Sequence, residues 1–208
     1  MSGAGRGPAG IAGLPPDWLP TTSLPISELP AGSTFVRIHP SIRSPIFFSP
    51  GDRQVPAGRF DSATGRFGVI YLTHAFAGVF AETILRNPAR RLVGLGEIAS
   101  RSRTVLTLSR AVRLVRMHGP CLQVLGVDNA VATGPYEPCG VWADALFIHR
   151  DSPDGIAYAS RHDPSQICIA LFSRPDIAIA PAGDSIPLTD MLNEVAAILH
   201  LYGKGLDL

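Results

Sequence analysis

The sequence predicts a single α+β domain, and three observations carry that prediction. Runs rich in β-branched, aromatic and small apolar residues at 35–38, 68–72, 103–108, 155–160 and 166–172 have the length and patterning of strands. Stretches with helical spacing fall between and after them, without the regular alternation that builds a doubly wound parallel sheet. The chain has 208 residues, 46% of them apolar, enough to bury one substantial core and too few for two full-sized domains.

Taken in order, residues 1–34 are rich in Gly and Pro, and Pro15, Pro16, Pro20, Pro25 and Pro30 interrupt any hydrophobic period. This segment reads as an arm lying on the domain or as a disordered leader, with Trp18 and Leu19 as the residues able to anchor it. The domain itself runs over 35–180. After the short strand at 35–38, Pro40, Pro45, Pro50 and Pro56 keep the chain extended or turning. The strand at 68–72 runs into a helix, with Thr73 as the expected N-cap and Pro88 as the stop, and Glu82 falls inside that helix.

Further on, 103–108 reads as a strand of mixed polarity, 121–127 as a short apolar element and 140–149 as a helix. The runs 155–160 and 166–172 are separated by Arg161-His162-Asp163-Pro164-Ser165, a hairpin loop, which puts Ser160 at a strand end. In 181–208, Leu188, Met191, Leu192, Val195, Ile198 and Leu199 recur at helical spacing with Gly203 just beyond, so this part is expected to be a packing helix of the same domain.

Composition excludes several classes of function. The formal net charge is +1, from 18 basic and 17 acidic residues, so no global positive field recruits nucleic acid or a membrane. Any phosphate binding must be local. Cys121, Cys139 and Cys168 form neither a CxxC pair nor a disulfide framework and read as buried thiols of a cytoplasmic protein. The six histidines contain no HExxH pair, so no metal site is expected. Arg6 is followed by Gly, Ala and Pro rather than an unbroken apolar run, and no later stretch is long enough to span a membrane; a soluble, unexported protein is the expectation. Gly94-Leu95-Gly96 lacks the third glycine of a dinucleotide fingerprint and has no clear helix behind it, and Ser160 stands in no GxSxG elbow.

Two features point to chemistry. Glu82 has Val79, Gly78, Ala75 and Leu85 as helical neighbours, which describe a buried face where a carboxylate must be paired, hydrogen-bonded or used. A buried salt bridge to an arginine and a catalytic role are equally compatible with that pattern. Arg37, Arg43, Arg53, Arg59 and Arg66 all precede this helix. Gly58-Arg59-Phe60 can aim a guanidinium fork inward at a phosphate, but Gly65-Arg66-Phe67 repeats the same residue types, so spacing leaves Arg59 and Arg66 equivalent.

The order of motifs is more informative than any one of them: Arg37 in the first strand, Gly58-Arg59-Phe60-Asp61, Tyr71-Leu72, Ala81-Glu82, Asp154-Gly155-Ile156 through Tyr158-Ala159-Ser160, then Ile169-Ala170-Leu171-Phe172. This series, from about Phe35 to Phe172, resembles the RES family, named for an arginine, a glutamate and a serine. The resemblance implies an ADP-ribosyltransferase-like mixed β core flanked by helices. It also implies a toxin that cleaves the nicotinamide–ribose bond of NAD by phosphorolysis or hydrolysis, held in check by a cognate Xre-family antitoxin. On this pattern Arg59, Glu82 and Ser160 are the catalytic positions and Arg37 and Tyr71 line the pocket, which resolves Arg59 from Arg66. NAD is then substrate rather than cofactor, inorganic phosphate is a candidate acceptor, and a homodimer is left open. Protein ADP-ribosylation from the same pocket and a non-catalytic binding module are the rival readings.

Overall fold

A computed structural model describes residues 13–49, 58–177 and 179–207. Arg6, Pro50, Arg53 and Pro56, singled out above, lie outside the described residues. In chain order the strands and helices are β1 (Ile26–Leu29), β2 (Thr34–Pro40), β3 (Val69–Thr73), α1 (Phe76–Thr83), β4 (Leu92–Gly94), α2 (Leu95–Ala99), β5 (Arg101–Leu108) and β6 (Val112–Met117). They continue with α3 (Cys121–Leu125), α4 (Ala130–Thr133), α5 (Glu137–Phe147), β7 (Gly155–Ala159), β8 (Ile167–Phe172), β9 (Ile179–Pro181), β10 (Ile186–Pro187), α6 (Leu192–Leu201) and β11 (Gly205–Asp207). No helix among the described residues is long and apolar enough to cross a membrane.

The main sheet runs β1-β6-β7-β8-β3-β2-β5-β10, with β9 also on β5. Its β6–β7 neighbours are parallel and the others antiparallel, so the sheet is mixed and flanked by helices, as the irregular alternation predicts. β4 and β11 form a separate parallel pair. One face of the main sheet is covered by an apolar cluster containing Phe35, Ile70, Leu72, Leu106, Leu114 and Leu171. On the other face the buried apolar residues divide into two clusters. Phe60, Val69, Trp142, Leu146 and Phe172 belong to the one under α3 and α5, and Val36, Ile38, Phe80, Ile98, Val195 and Leu199 to the one under α1, α2 and α6.

That division follows the strand pairing. β2 and β5 are paired along seven positions and β3 and β8 along five. Between β2 and β3 the register holds at Val36 with Thr73 alone. The sheet therefore forks, leaving Arg37 and Ile38 unpaired opposite Leu72 and Tyr71, and a cleft opens there between the two clusters.

Several local expectations need correction. Thr73 does not cap α1: the capping position is Ala75, in extended backbone, and Thr73 Oγ1 donates instead to Ala75 O at 2.8 Å. The helix stops at Thr83, well before Pro88, where the amides of Ile84 and Leu85 converge on Phe80 O. α5 begins at Glu137 rather than Gly140, because Pro138 occupies a first-turn position whose N–H would have no helical acceptor. A five-residue helix, α2, does start within Gly94-Leu95-Gly96. β6 has no counterpart in the reading of the sequence, since Arg113 and Arg116 point to solvent and break its apolar run.

The leader is tied down from Gly13 onward. Leu19 is buried, its carbonyl accepts from His149 Nε2 at 3.0 Å, and Gly13 O accepts from Trp142 Nε1 at 2.8 Å. Trp18 covers Gly126, whose left-handed backbone ends α3. Ile26–Leu29 then forms the edge strand beside β6.

Candidate active site

The fork of the sheet holds a cavity of about 240 Å³, whose lining includes Arg37, Arg59, Tyr71 and Glu82. Arg86, Arg101, Tyr136, Tyr158, Arg161, His162 and Cys168 complete its polar and aromatic wall. Five arginines thus face one carboxylate, and none of the five enters a salt bridge among the described residues. Excess fixed positive charge in a concave, partly desolvated site favours an anionic ligand.

Arg59 owes its place to the turn that precedes it. Asp61, itself buried, accepts from Gly58 N at 2.8 Å, from Ser49 Oγ at 2.9 Å and from Tyr71 OH at 2.9 Å. Tyr71 OH in turn accepts from Phe60 N at 2.9 Å. The tyrosine hydroxyl is therefore fully engaged in holding the Arg59 turn, and burial together with Asp61 pushes its ionisation well above the ordinary phenol range. Only the ring of Tyr71 is left to meet a ligand. Gly58 is required here because a Cβ would lie 2.3 Å from that ring.

Arg59 is buried, 6% exposed. Its Nη1 donates to Gly134 O at 2.8 Å and also approaches Val131 O and Cys139 Sγ. Arg66, its equivalent by spacing, is exposed and does not line the cavity. Arg37 donates through Nη1 to Phe47 O at 3.0 Å, and burial lowers its pKa to about 10, so it remains a cation at neutral pH.

Glu82 is half-buried on α1 rather than enclosed, with its carboxylate turned into the cleft. The arginine pairing left open by the sequence is not what holds it. Ser160 Oγ donates to Glu82 Oε1 at 2.5 Å and Arg161 N donates to the same oxygen at 3.2 Å. Ser160, 1% exposed, also accepts from His162 N at 3.0–3.1 Å and Asp163 N within the same span, 3.1 and 3.0 Å respectively. Its hydroxyl hydrogen and both lone-pair directions are thereby used. The strand-end position right after β7 gives this serine its geometry, and the loop to β8 closes around it.

Beside the carboxylate, Cys168 is pushed up to about 12 by burial and by Glu82, which keeps it a neutral thiol. His162 is lowered by burial and by Arg161, Arg86 and Arg59, against the opposing pull of Glu82. The cysteines are free and buried, and no cluster of three or more metal-ligating side chains occurs among the described residues. His39 and His149 are satisfied core residues, the former bonded to Pro40 O and Thr104 Oγ1.

Arg86, Arg101, Tyr136 and Arg161 were not singled out by the sequence. Each sits just outside a regular element or at its first residue, where no periodicity distinguishes a cleft side chain from a solvated one. Arg161, next to Ser160 in the hairpin loop, is the one whose position was marked in advance.

Fold and cleft together define a single α+β domain with a cationic cleft at the fork of its sheet. The chain belongs to the RES domain family, whose family model matches residues 34–190. Among solved structures it is similar to one described as the crystal structure of the M. tuberculosis MbcT-MbcA toxin-antitoxin complex. That match has a TM-score of 0.57 and 14% sequence identity, and covers 82% of this chain and 92% of the other. At this identity the likeness concerns the fold. No curated protein matches the sequence.

Proposed function

We propose that this protein is a RES-family toxin that cleaves the nicotinamide–ribose bond of NAD, with phosphate or water accepting the ADP-ribose. The observation that carries the reading is Glu82: one carboxylate, in no salt bridge among the described residues and oriented by Ser160 and Arg161 N, in a cleft that also presents five arginines. The nicotinamide of NAD is already cationic, so when the bond breaks its electron pair passes to the ring nitrogen and no proton donor is needed. Positive charge develops on the ribose, as in other glycosidic cleavages, and a fixed carboxylate stabilises it. Arg59 supplies a guanidinium group for the diphosphate, and Arg37 adds positive charge to the same pocket. Attack by phosphate gives ADP-ribose 1-phosphate, and attack by water gives ADP-ribose and a proton.

The purified protein is expected to release nicotinamide from NAD with no metal added and at an unchanged rate in a chelator, since the chemistry assigned to Glu82 and the arginines requires no Lewis acid. Activity lost to a chelator and restored by a divalent ion would refute this. Mass spectrometry of the products with and without phosphate identifies the acceptor, and a mass shift on a protein instead would point to ADP-ribosylation. Because the similar structure is that of a toxin-antitoxin complex, we also propose a cognate Xre-type antitoxin that covers the cleft.

Ser160 acts in this scheme through Glu82 and is a positioning residue. Ser160→Ala should lower turnover about tenfold, the equivalent of one charge-assisted hydrogen bond of about 1.5 kcal/mol. Stopped assays on folded protein check it, and wild-type turnover would show that Arg161 N alone suffices to hold the carboxylate.

A further inference from the structure

Two segments of the chain converge on Tyr136, which stands in the loop leading into α5. The Arg59 guanidinium carbon lies 4.8 Å from the centroid of its ring. Its hydroxyl accepts a hydrogen bond from Arg86 Nη2 at 3.1 Å. Arg59 comes from the turn organised by Asp61, and Arg86 follows α1 on the opposite wall. The same loop also presents Gly134 O to Arg59 Nη1 at 2.8 Å.

These contacts decide how Arg59 can be used. The contact with the tyrosine ring consumes none of the guanidinium donors, yet it restrains where the group sits. With Nη1 engaged by the loop carbonyls, the edge carrying Nη2 and Nε remains for a ligand. Arg86 is exposed and has no carboxylate partner among the described residues; its bond to the Tyr136 hydroxyl draws it to the cleft instead of leaving it to sample solvent. One tyrosine therefore sets two cations from opposite walls around the same opening.

We propose that Tyr136 is a positioning residue that sets Arg59 and Arg86 as a two-arginine clamp for the diphosphate of a dinucleotide. The inference rests on the NAD reading for the identity of the ligand, and on the geometry above for the clamp. Two guanidiniums matched to two adjacent phosphates discriminate ADP-ribose from a ligand that carries no phosphate.

The test is calorimetric binding of ADP-ribose and of adenosine to the wild type, Tyr136→Ala, Tyr136→Phe, Arg86→Gln and the Tyr136→Phe/Arg86→Gln double variant. Tyr136→Ala is expected to weaken ADP-ribose about tenfold while leaving adenosine within about twofold, because the loss falls on the charged bonds to phosphate. Tyr136→Phe keeps the ring and loses only the tether, and should cost about threefold; Arg86→Gln also loses the charged contact to phosphate and should cost about tenfold. The double variant should cost no more than Arg86→Gln alone, since without the guanidinium the hydroxyl has nothing to position. A folded Tyr136→Ala that binds ADP-ribose like the wild type, an equal loss for adenosine, or additive effects in the double variant would overturn the clamp, as would a wild type that binds no ADP-ribose. Should Tyr136→Ala not fold, the Tyr136→Phe and Arg86→Gln cycle decides alone. A wild type that binds ADP-ribose but releases no nicotinamide from NAD would refute the reaction and leave the clamp standing. NAD cleavage with an unchanged KM in folded Tyr136→Ala would do the reverse.

Discussion

Glu82→Gln is expected to yield a folded protein that turns NAD over at least about a hundredfold more slowly, about 3 kcal/mol of lost transition-state stabilisation. The amide keeps the length of the side chain and an oxygen to accept from Ser160 Oγ and Arg161 N, the two groups that hold the carboxylate. What disappears is the negative charge facing the ribose. Had Glu82 been the partner of a buried arginine, the same change would strand a cation and cost about 3–5 kcal/mol of stability. No such ion pair exists among the described residues, so the melting temperature should move little. Turnover, NAD affinity and thermal unfolding measured on one preparation check this, and near wild-type turnover in a native-like variant removes Glu82 from the mechanism.

The second large effect is expected from Gly58→Ala, a change of one methyl group. The added carbon would lie 2.3–2.4 Å from Cε2, Cζ and the hydroxyl of Tyr71. Tyr71 cannot swing aside cheaply, because its hydroxyl bonds both Asp61 and Phe60 N. Either the ring or the turn carrying Arg59 must shift. Overpacking of this kind costs about 1–3 kcal/mol of stability, and displacement of a substrate-binding group by about 1 Å costs up to about a hundredfold in rate. We expect kcat/KM for NAD to fall by about that factor, with a lowered melting temperature. Unchanged kinetics would mean that the placement of Arg59 does not depend on this turn.

Much of the frame was legible in the sequence because apolar strands announce themselves. β2, β3, β5, β7 and β8 were each expected from composition and alternation, and these five form the continuous part of the sheet around the cleft. β6 was hidden by Arg113 and Arg116, and β1 by the prolines around it, since an edge strand needs few apolar residues. Of the site, Arg37, Arg59, Tyr71 and Glu82 all line the cavity, while Ser160 stands behind Glu82 and not in the wall. Asp61, the hub of the arginine turn, appeared in the sequence only as a neighbour of Arg59. Its importance comes from bonds to Ser49 and Tyr71, twelve and ten residues away, which no local spacing encodes.

The single pairing between β2 and β3 has a mechanical consequence. On the helix-covered face each wall of the cleft carries its own apolar cluster, whereas on the opposite face a single cluster spans the fork, with Phe35 and Leu106 from one side and Ile70 and Leu171 from the other. On the cleft side the walls are held by few backbone bonds at Val36 and Thr73 and by polar bridges across the gap, among them Ser160 to Glu82 and Arg86 to Tyr136. The shared cluster is thus the spine of a hinge: the mouth can widen at the expense of a few polar bonds while the back of the sheet stays packed.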